Sequence, residues 1–142
     1  MIAIASDHTG LKIKTELMEY LSGKGYELKD FGTYTEESCD YPRFGSMAAR
    51  AVADGECEKG IVICGTGIGI SIAANKTPGI RCALCTEPYS AILSREHNDA
   101  NMLALGARIT GPEMIKAICD VWLTTEFSGG RHKNRVDMLN SL

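Results

Sequence analysis

The sequence predicts an α/β fold in which five parallel strands form a sheet with helices on both of its faces. Two observations support this class. Short apolar runs, several of them β-branched and apolar throughout, have the length and composition of strands that are buried on both sides. Between them lie longer segments whose apolar residues recur at helical spacing. Strands that alternate with helices form a parallel sheet, because each helix returns the chain to the edge where the previous strand began.

The first half of the chain contains two predicted strands and two predicted helices. Residues 2–5 form a buried apolar strand. Apolar residues at helical spacing begin at Leu11 and stop at Gly23, which is typical of a helix end. Residues 26–31 alternate between polar and apolar, as in an outer strand. A polar loop leads from there to a helix at 42–53, whose proline suits the first turn.

A strand at 61–63, a glycine turn and a helix follow at the centre of the chain. Gly65, Gly67 and Gly69 lie where the backbone must turn sharply and expose its amides. Amides at a helix N-terminus, together with the helix dipole, form a binding site for negative charge. The thiol of Cys64 lies beside that site, at the carboxyl end of the strand. We expect this turn to be the chemical centre of the protein.

The glycine spacing does not identify a ligand. Gly65-x-Gly67-x-Gly69 lacks the two residues that the dinucleotide fingerprint needs between its last two glycines. A Walker A loop ends in Gly-Lys-Ser/Thr, and Asn75-Lys76-Thr77 does not supply that ending. A tight strand-to-helix turn without a ligand therefore stays open as an alternative at this point.

The second half continues the alternation of strands and helices. Residues 80–85 predict the fourth strand and residues 102–105 the fifth. A helix at 87–98 connects them. A further helix at 111–123 carries an apolar stripe, and after two glycines a last, polar helix covers 131–142.

The size and charge of the chain restrict its class. Its 142 residues predict one domain that spans residues 1–142. The formal net charge is −3, so nothing indicates a general affinity for nucleic acid. No apolar run is long enough to span a membrane, and the first residues do not resemble a signal peptide. We therefore expect a cytoplasmic protein without nucleic-acid or membrane partners.

The six cysteines are best interpreted as reduced thiols in that compartment rather than as a disulfide framework. Cys82 and Cys85 have CxxC spacing, but they lie in a strand-like run, where residues three apart point to opposite faces. We therefore expect no zinc or redox centre there. Cys39, Cys57 and Cys119 are most simply loop or core residues.

In parallel sheets of this class, ligands bind beyond the carboxyl ends of the strands, where the strand order reverses. That rule brings Asp7-His8, at the end of the first strand, to the same edge as Cys64-Gly65-Thr66, and it places Cys85-Thr86 there as well. We expect Asp7 to accept hydrogen bonds from substrate hydroxyls and His8 to bind an anion. A capping Asp7 and a solvated His8 are the simpler alternative.

Three further groups have chemical interpretations. A thiol beside amides and a helix N-terminus is favoured as the thiolate, so Cys64 is a candidate base or nucleophile; a small core residue is the alternative. His97, at a predicted helix end, is a candidate acid–base group or a partner of the helix dipole. Arg131 and Arg135 are four apart and share a helical face. That face forms either a solvated surface or a phosphate clamp of forked donors.

Six motifs occur along the chain in a fixed order: Asp7-His8-x-Gly10, Asp40-Tyr41-Pro42, the stretch from Cys64 to Lys76, Glu87-Pro88-Tyr89-Ser90-Ala91, Arg95-x-His97-Asn98-Asp99-x-Asn101 and Gly130-Arg131-His132-x-x-Arg135. Together they resemble the RpiB/LacAB family of sugar-phosphate isomerases over nearly the whole chain. The resemblance implies a Rossmann-like (flavodoxin-like) three-layer sandwich. It also implies a homodimer or homotetramer with active sites shared between subunits and a C-terminal helix that packs on a partner.

The resemblance assigns catalytic roles as well. Cys64 matches the catalytic base of the family's cysteine-bearing branch. Another branch has a glutamate base at the position of Ile70, so the aliphatic residue here places the chain in the cysteine branch. His97 matches the histidine that opens the sugar ring, and Thr66 assists it.

Substrate contacts are implied in the same way. The family's phosphate ligands match His8, Arg108, Arg131 and Arg135, and its contacts to substrate hydroxyls match Asp7, Tyr41 and Asn98. The backbone amides of the glycine turn would form an oxyanion hole, and they belong to Gly65, Gly67, Ile68, Gly69 and Ile70. In the family some of these groups come from the partner subunit, so one chain alone would not hold a complete site.

The implied activity is the aldose–ketose isomerisation of D-ribose 5-phosphate and D-ribulose 5-phosphate through an enediolate, in the non-oxidative branch of the pentose phosphate pathway. We expect it to need neither a metal nor a cofactor. The same chemistry on a six-carbon substrate, allose 6-phosphate or galactose 6-phosphate, is the alternative. Galactose-type relatives consist of two different subunits, whereas this chain carries both Cys64 and His97, which favours ribose 5-phosphate.

Two other classes of function fit the sequence less well. A phospho-acceptor signalling domain would use Asp7 at its strand end, but no acidic cluster flanks Asp7 and no lysine ends the fifth strand. A non-catalytic nucleotide-binding module would need the glycine fingerprint that is absent here.

Overall fold

In the computed structural model, which describes residues 1–142, five parallel strands form one sheet. The strands are β1 (Ile2–Ser6), β2 (Leu28–Asp30), β3 (Lys59–Cys64), β4 (Cys82–Leu84) and β5 (Met102–Gly106). The helices are α1 (Leu11–Gly23), α2 (Tyr41–Ala53), α3 (Ile68–Asn75), α4 (Pro88–Asn98), α5 (Pro112–Thr124) and α6 (Arg131–Asn140), and a 3₁₀ turn at His8–Gly10 leads into α1. The predicted α/β class with five parallel strands is confirmed. Each helix is too short or too polar to span a lipid bilayer.

Two strands are shorter than the sequence predicts. The second strand covers Leu28–Asp30 rather than 26–31, and the fourth covers Cys82–Leu84 rather than 80–85. Both lie at an edge of the sheet and pair with a neighbour on one side only. Residues that flank an edge strand can leave the ladder at little cost, so an alternating or apolar pattern extends beyond the paired segment.

The strand order is β2-β1-β3-β5-β4. β5 therefore lies inside the sheet and β4 at its edge, whereas the flavodoxin order 2-1-3-4-5 has the last two strands in the opposite places. Burial follows this arrangement: every residue of β5 is buried, while those of β4 are partly exposed. The chain reverses its direction across the sheet between β1 and β3, so their carboxyl ends form the switch point where ligands bind in such sheets.

The two faces of the sheet carry side chains of different size. Large residues of β1, β3 and β5 face α1, α4 and α5, and they are Ile2, Ile4, Ile61, Ile63, Leu103 and Leu105. Mostly small ones face α2 and α3, and they are Ala3, Ala5, Val62, Cys64 and Ala104, with Met102 of β5 as the one large exception. Small residues allow close approach on that face: a Cβ added to Gly45 of α2 would lie only 2.8 Å from Cγ1 of Ile70 in α3. The thiol of Cys64 is therefore enclosed between the sheet and these two helices.

Candidate active site

A cleft of about 480 Å³ opens beyond the carboxyl ends of β1 and β3, at the switch point of the sheet. Its walls come from the turn after β1, the start of α2, the turn between β3 and α3, and the loop after β5. The lining residues are Asp7, Thr9, Tyr41, Cys64, Gly65, Thr66, Ile68, Gly69, Ile72 and Arg108. All of these except Thr9 and Ile72 are predicted site residues.

Cys64 lines the cleft and is buried, with 5% of the residue exposed. The backbone N–H of Gly67 donates a hydrogen bond to Cys64 Sγ at 3.2 Å. Gly67 has a φ of 79°, in the left-handed region that favours glycine. A Cβ at this position would also lie 2.8 Å from the carbonyl carbon of Leu105. The turn can therefore direct this N–H at the sulfur only with glycine at position 67.

Four other N–H groups of the same turn have no hydrogen-bond partner within the chain, and they belong to Gly65, Thr66, Gly69 and Ile70. The N–H of Ile68, by contrast, donates to the hydroxyl of Thr66 at 3.2 Å. α3 begins at Ile68, so Gly69 and Ile70 are in its first turn, where the helix dipole adds positive potential. The turn therefore offers unpaired donors to an anionic oxygen beside the sulfur.

Asp7 both caps a turn and lines the cleft. Its Oδ1 accepts hydrogen bonds from the N–H of Thr9 at 3.0 Å, the hydroxyl of Thr9 at 2.6 Å and the N–H of Gly10 at 3.2 Å. Its Oδ2 makes no hydrogen bond within the chain. The two interpretations of Asp7 are therefore compatible, because one carboxylate oxygen fixes the side chain and the other is free for a substrate.

His8 is held by the loop that follows β2. The backbone N–H of Cys39 donates to Nδ1 of His8 at 3.2 Å, and the sulfur of Cys39 lies 3.8 Å from the same atom. Since Nδ1 accepts a hydrogen bond, the neutral ring carries its proton on Nε2. His8 can therefore donate from Nε2, as an anion ligand must. Cys39 is a loop residue as predicted, but its contact with His8 has no signal in the sequence.

Tyr41 and Arg108 lie beside different glycines of the turn. The ring of Tyr41 packs so closely on Gly69 that a Cβ there would lie 2.5 Å from Cζ of the ring. Arg108 is anchored by its backbone N–H, which donates to the carbonyl of Gly65 at 2.9 Å. Its exposed guanidinium lies beside Gly65, since a Cβ added there would be 3.6 Å from Nη1. A free cation in the cleft is suited to a phosphate.

The remaining predicted side chains lie where the strands begin, at the opposite end of the strands from the cleft. α4 runs back from the carboxyl ends of the strands and ends at Asn98. The carbonyl of Asn98 accepts a hydrogen bond at 3.1 Å from Nε of Arg81, the residue that precedes β4. His97 lies in the same last turn, and Arg131 and Arg135 lie on α6, which packs against α4. The six residues of β3 span roughly 20 Å between the two edges. One chain therefore does not bring these four residues to its own Cys64.

The ring of His97 stacks on the ring of His132. His132 belongs to one of the sequence motifs, but the sequence predicts no role for it. Their ring centroids are 4.3 Å apart and the planes differ by 14°. Burial, the neighbouring His97 and the cationic Arg131 and Arg135 lower the pKa of His132 from its ordinary value, against an opposing effect of Glu96.

Sequence reasoning missed the network that holds this second group. The carboxylate of Asp99, which follows the last residue of α4 and has a φ of 46°, accepts a hydrogen bond from Arg95 Nη1 at 2.9 Å. Arg81 donates to the carbonyl of Asp99 at 2.9 Å and to Oδ1 of Asn140 at 2.8 Å. Because Asn140 ends α6, these contacts tie the ends of α4 and α6 together. The spacing of Arg95 and Asp99, four apart on a helix, is the one local signal of it.

The cysteines with CxxC spacing lie outside the cleft. Cys85 packs on the α4–α5 side of the sheet and Cys82 on the α2–α3 side, as strand alternation predicts. Burial raises the pKa of Cys82 to about 12 and also raises the pKa of Cys85. Cys85-Thr86 lies at the carboxyl edge of the sheet as expected, but it does not line the cleft, because β5 lies between β3 and β4. All six cysteines are unpaired.

Known proteins resemble this chain over nearly its whole length. The family model described as Ribose/Galactose Isomerase matches residues 2–139. Ribose-5-phosphate isomerase B of Escherichia coli is 51% identical over 141 residues, which cover 99% of this chain and 95% of that relative. The structure of ribose-5-phosphate isomerase B from Clostridium thermocellum has 57% identity and a TM-score of 0.97, covering 99% and 95% of the two chains. The Mycoplasma genitalium structure, with bound ribulose-5-phosphate, has 39% identity and a TM-score of 0.94, covering 99% and 93%.

A switch-point cleft that combines a thiol, unpaired amides and a free cation defines an α/β enzyme for acid–base chemistry on a small anionic substrate. The family match narrows this class. The chain belongs to the Ribose/Galactose Isomerase family, which is the RpiB/LacAB family that its motifs resemble.

Proposed function

We propose that the protein is an aldose–ketose isomerase that interconverts D-ribose 5-phosphate and D-ribulose 5-phosphate. The observation that carries the proposal is the position of Cys64, which lines the cleft with its Sγ 3.2 Å from the amide nitrogen of Gly67 and unpaired amides beside it. The names of the relatives from Escherichia coli and Clostridium thermocellum support this choice of substrate.

Cys64 is the base of the proposed reaction. As a thiolate, stabilised by the N–H of Gly67, it removes the proton from carbon 2 of the open-chain aldose. The electrons of that C–H bond form the C1–C2 double bond of an enediolate, and the aldehyde oxygen becomes negative. The thiol then returns a proton to carbon 1, while the proton of the carbon 2 hydroxyl passes to the oxygen on carbon 1. A positioned base contributes about 10²–10⁴-fold to such a rate.

The enediolate oxygen needs donors that are already in place. We infer that the unpaired N–H groups of the glycine turn supply them, because Gly65, Thr66 and Gly69 line the same cleft as the thiol. Loss of one donor of this kind costs about 3–4 kcal/mol in other enzymes.

The substrate enters as a closed furanose, and His97 opens it with the assistance of Thr66. His97 takes the proton of the anomeric hydroxyl and returns it to the ring oxygen as the bond from that oxygen to carbon 1 breaks and the aldehyde forms. The phosphate, at the far end of the substrate, is held by His8, Arg108, Arg131 and Arg135. Binding energy at the phosphate can therefore position the reacting carbons. Asp7, Tyr41 and Asn98 contact the hydroxyls.

A complete site of this kind needs two copies of the chain. His97, Asn98 and the two arginines of α6 lie at the edge opposite to Cys64, so the partner's α4 and α6 would complete each cleft. Exposed apolar residues suit such packing: Ile68 is 52% and Ile72 55% exposed on one face of α3 beside the cleft. We accordingly assign a homodimer, or a homotetramer of two such dimers, in which the C-terminal helix packs on the partner.

The same features support the proposed substrate class and cellular location. The name of the family includes galactose, so allose 6-phosphate and galactose 6-phosphate are the competing substrates. The presence of both Cys64 and His97 in one chain favours ribose 5-phosphate. The six unpaired cysteines suit the reducing cytoplasm, where phosphorylated sugars are found.

The first test compares wild type, Cys64→Ala and the control Cys82→Ala for isomerisation of ribose 5-phosphate in the presence of EDTA. We expect turnover by wild type and the control, and a loss of about 10²–10⁴-fold in Cys64→Ala. If Cys64→Ala kept the wild-type rate, another residue would have to be the base. If the wild type were inactive on ribose 5-phosphate but active on a six-carbon sugar phosphate, the proposed substrate would be wrong and the six-carbon alternative would take its place.

A second readout separates the chemical steps. Ribulose 5-phosphate cannot close a furanose ring, because the hydroxyl that would close it carries the phosphate. Exchange of solvent deuterium into its carbon 1, followed by NMR, therefore measures proton transfer without ring opening. We expect Cys64→Ala to lose this exchange, and His97→Ala to keep it while losing turnover of ribose 5-phosphate.

A further inference from the structure

The stacked pair of His97 and His132 joins two elements of the second residue group. His97 lies in the last turn of α4 and His132 in the first turn of α6. The segment between α5 and α6 is tied to the same turn, because the N–H of Ser128 donates to the carbonyl of Glu96 at 3.1 Å. The rings are nearly parallel, with centroids 4.3 Å apart. The contact therefore fixes the position of His97 relative to the arginines of α6.

No hydrogen bond within the chain orients the ring of His97. Neither of its nitrogens forms a hydrogen bond to a backbone or side-chain group, in contrast to Nδ1 of His8, which accepts the N–H of Cys39. A catalytic histidine is usually oriented by a hydrogen bond to the nitrogen that does not react. Here the flat face of His132 takes that place and leaves both nitrogens of His97 free.

We propose that His132 is a positioning residue, which holds the ring of His97 by stacking so that it can open the furanose of the substrate. This inference rests on the proposed function, in which His97 is the ring-opening group. His132 itself does not exchange protons with the substrate in this scheme.

The charges around the pair agree with this division of roles. His132 is faced by His97 and Glu96 from α4 and by Arg131 and Arg135 from its own helix, and their net effect together with burial lowers its pKa. The lowered pKa favours the neutral form of His132 near pH 7. His97 thus stacks on an uncharged aromatic ring rather than on a second cation, and it can take up a proton without facing another positive imidazole.

The test uses four variants of the full chain. His132→Ala removes the stacking face, His132→Leu fills its volume without a planar ring, and His132→Phe keeps the ring but has no nitrogen. Lys133→Ala is the matched control, since Lys133 lies on the same helix and pairs only with Asp137 on the surface. Each is measured for turnover of ribose 5-phosphate and for deuterium exchange into ribulose 5-phosphate.

We expect the Ala and Leu variants to lower kcat for ribose 5-phosphate by roughly 10–100-fold, because a misplaced catalytic group has an effect of this size. Deuterium exchange should stay near the wild-type rate, and His132→Phe should recover most of the turnover. Lys133→Ala should match wild type in both assays. A variant that had merely lost its fold would lose both activities together.

A double-mutant cycle with His97→Ala decides whether His132 acts through His97. We expect His132→Leu to cause no further loss once His97 is alanine. A further loss in that background, a rise in KM with unchanged kcat, or no effect of any His132 variant would each overturn the inference. If His97→Ala itself retained full turnover of ribose 5-phosphate, the ring-opening role in the proposed function would fail first.

Discussion

At the scale of single residues, Gly67 determines whether Cys64 finds its hydrogen bond. Its left-handed φ of 79° and its closeness to the backbone of Leu105 both exclude a side chain. Gly55 is a matched control, because it has a φ of 80° but open space around its Cα. The pair separates the cost of backbone conformation from the cost of a clash.

We expect Gly55→Ala to lower the free energy of unfolding by about 1–2 kcal/mol, the conformational cost alone, and to leave turnover intact. Gly67→Ala should cost more, and it should reduce isomerisation strongly because the N–H that donates to Cys64 Sγ must move. Urea unfolding and turnover of ribose 5-phosphate measure the two effects. Equal stabilities and equal rates for the two variants would contradict this account of the turn.

The same scale shows which site residues a sequence can reveal. Cys64 and the glycine turn are predictable because the thiol, the amides and the start of the helix lie within a few consecutive residues, so their proximity follows from the sequence itself. The contact of Cys39 with His8 is not, since it joins residues 31 apart through a loop without periodicity. The stacking of His132 on His97 is hidden for the same reason: it depends on how two helices meet.

At the scale of elements, a buried lysine of α1 fixes the segment that follows β2. Lys14 is 1% exposed, and its Nζ lies 2.6 Å from Oδ1 of Asp30 and 2.6 Å from the carbonyl oxygen of Thr33. The loop that starts there reaches Cys39, whose N–H holds the ring of His8. This ion pair therefore connects the first helix with a predicted phosphate ligand.

We expect Asp30→Asn to lower the free energy of unfolding by about 3–5 kcal/mol, because it leaves the charge of Lys14 buried without a counterion. Glu56→Gln is the control, since its pair with Lys29 has side chains that are 48% exposed on both sides, and exposed pairs contribute little. Urea unfolding of both variants gives the comparison. A loss in Asp30→Asn no larger than in the control would show that the pair does not stabilise the fold.

The type of nearly every element follows from the sequence, but the arrangement of the sheet does not. Apolar runs identify β1, β3 and β5 because these strands are buried at every residue except Lys59, the first of β3. The same patterns overestimate β2 and β4, since pairing on one side leaves their flanks unpaired. The position of β5 between β3 and β4 depends on which strand occupies the interior of the sheet, and no local sequence pattern predicts that.

At the scale of the whole molecule, the sheet separates the two halves of the predicted site. Strand ends and helix ends alternate between the edges of a parallel sheet, so residues after β1 and β3 lie opposite those at the end of α4. The motifs identify the residues of both groups. Contact between two chains would bring the two groups together, and the periodicity of one sequence does not predict how chains associate.

This division makes a quantitative expectation for mixed dimers of Cys64→Ala and His97→Ala chains. In a mixed dimer with two-fold symmetry, one cleft lacks both groups, while the other combines the Cys64 of one chain with the His97 of its partner. Random assortment makes about half of the dimers mixed, each with one intact site of two, so about a quarter of wild-type activity should return.

The experiment unfolds and refolds the two inactive proteins together and measures turnover of ribose 5-phosphate against each variant refolded alone. The control mixes Cys64→Ala with the double variant Cys64→Ala/His97→Ala, in which no cleft contains the thiol, and it should stay inactive. If each site were built within a single chain, every site in the first mixture would lack one group and no activity would return. Recovery near a quarter therefore tests the shared site and the roles of Cys64 and His97 in one measurement.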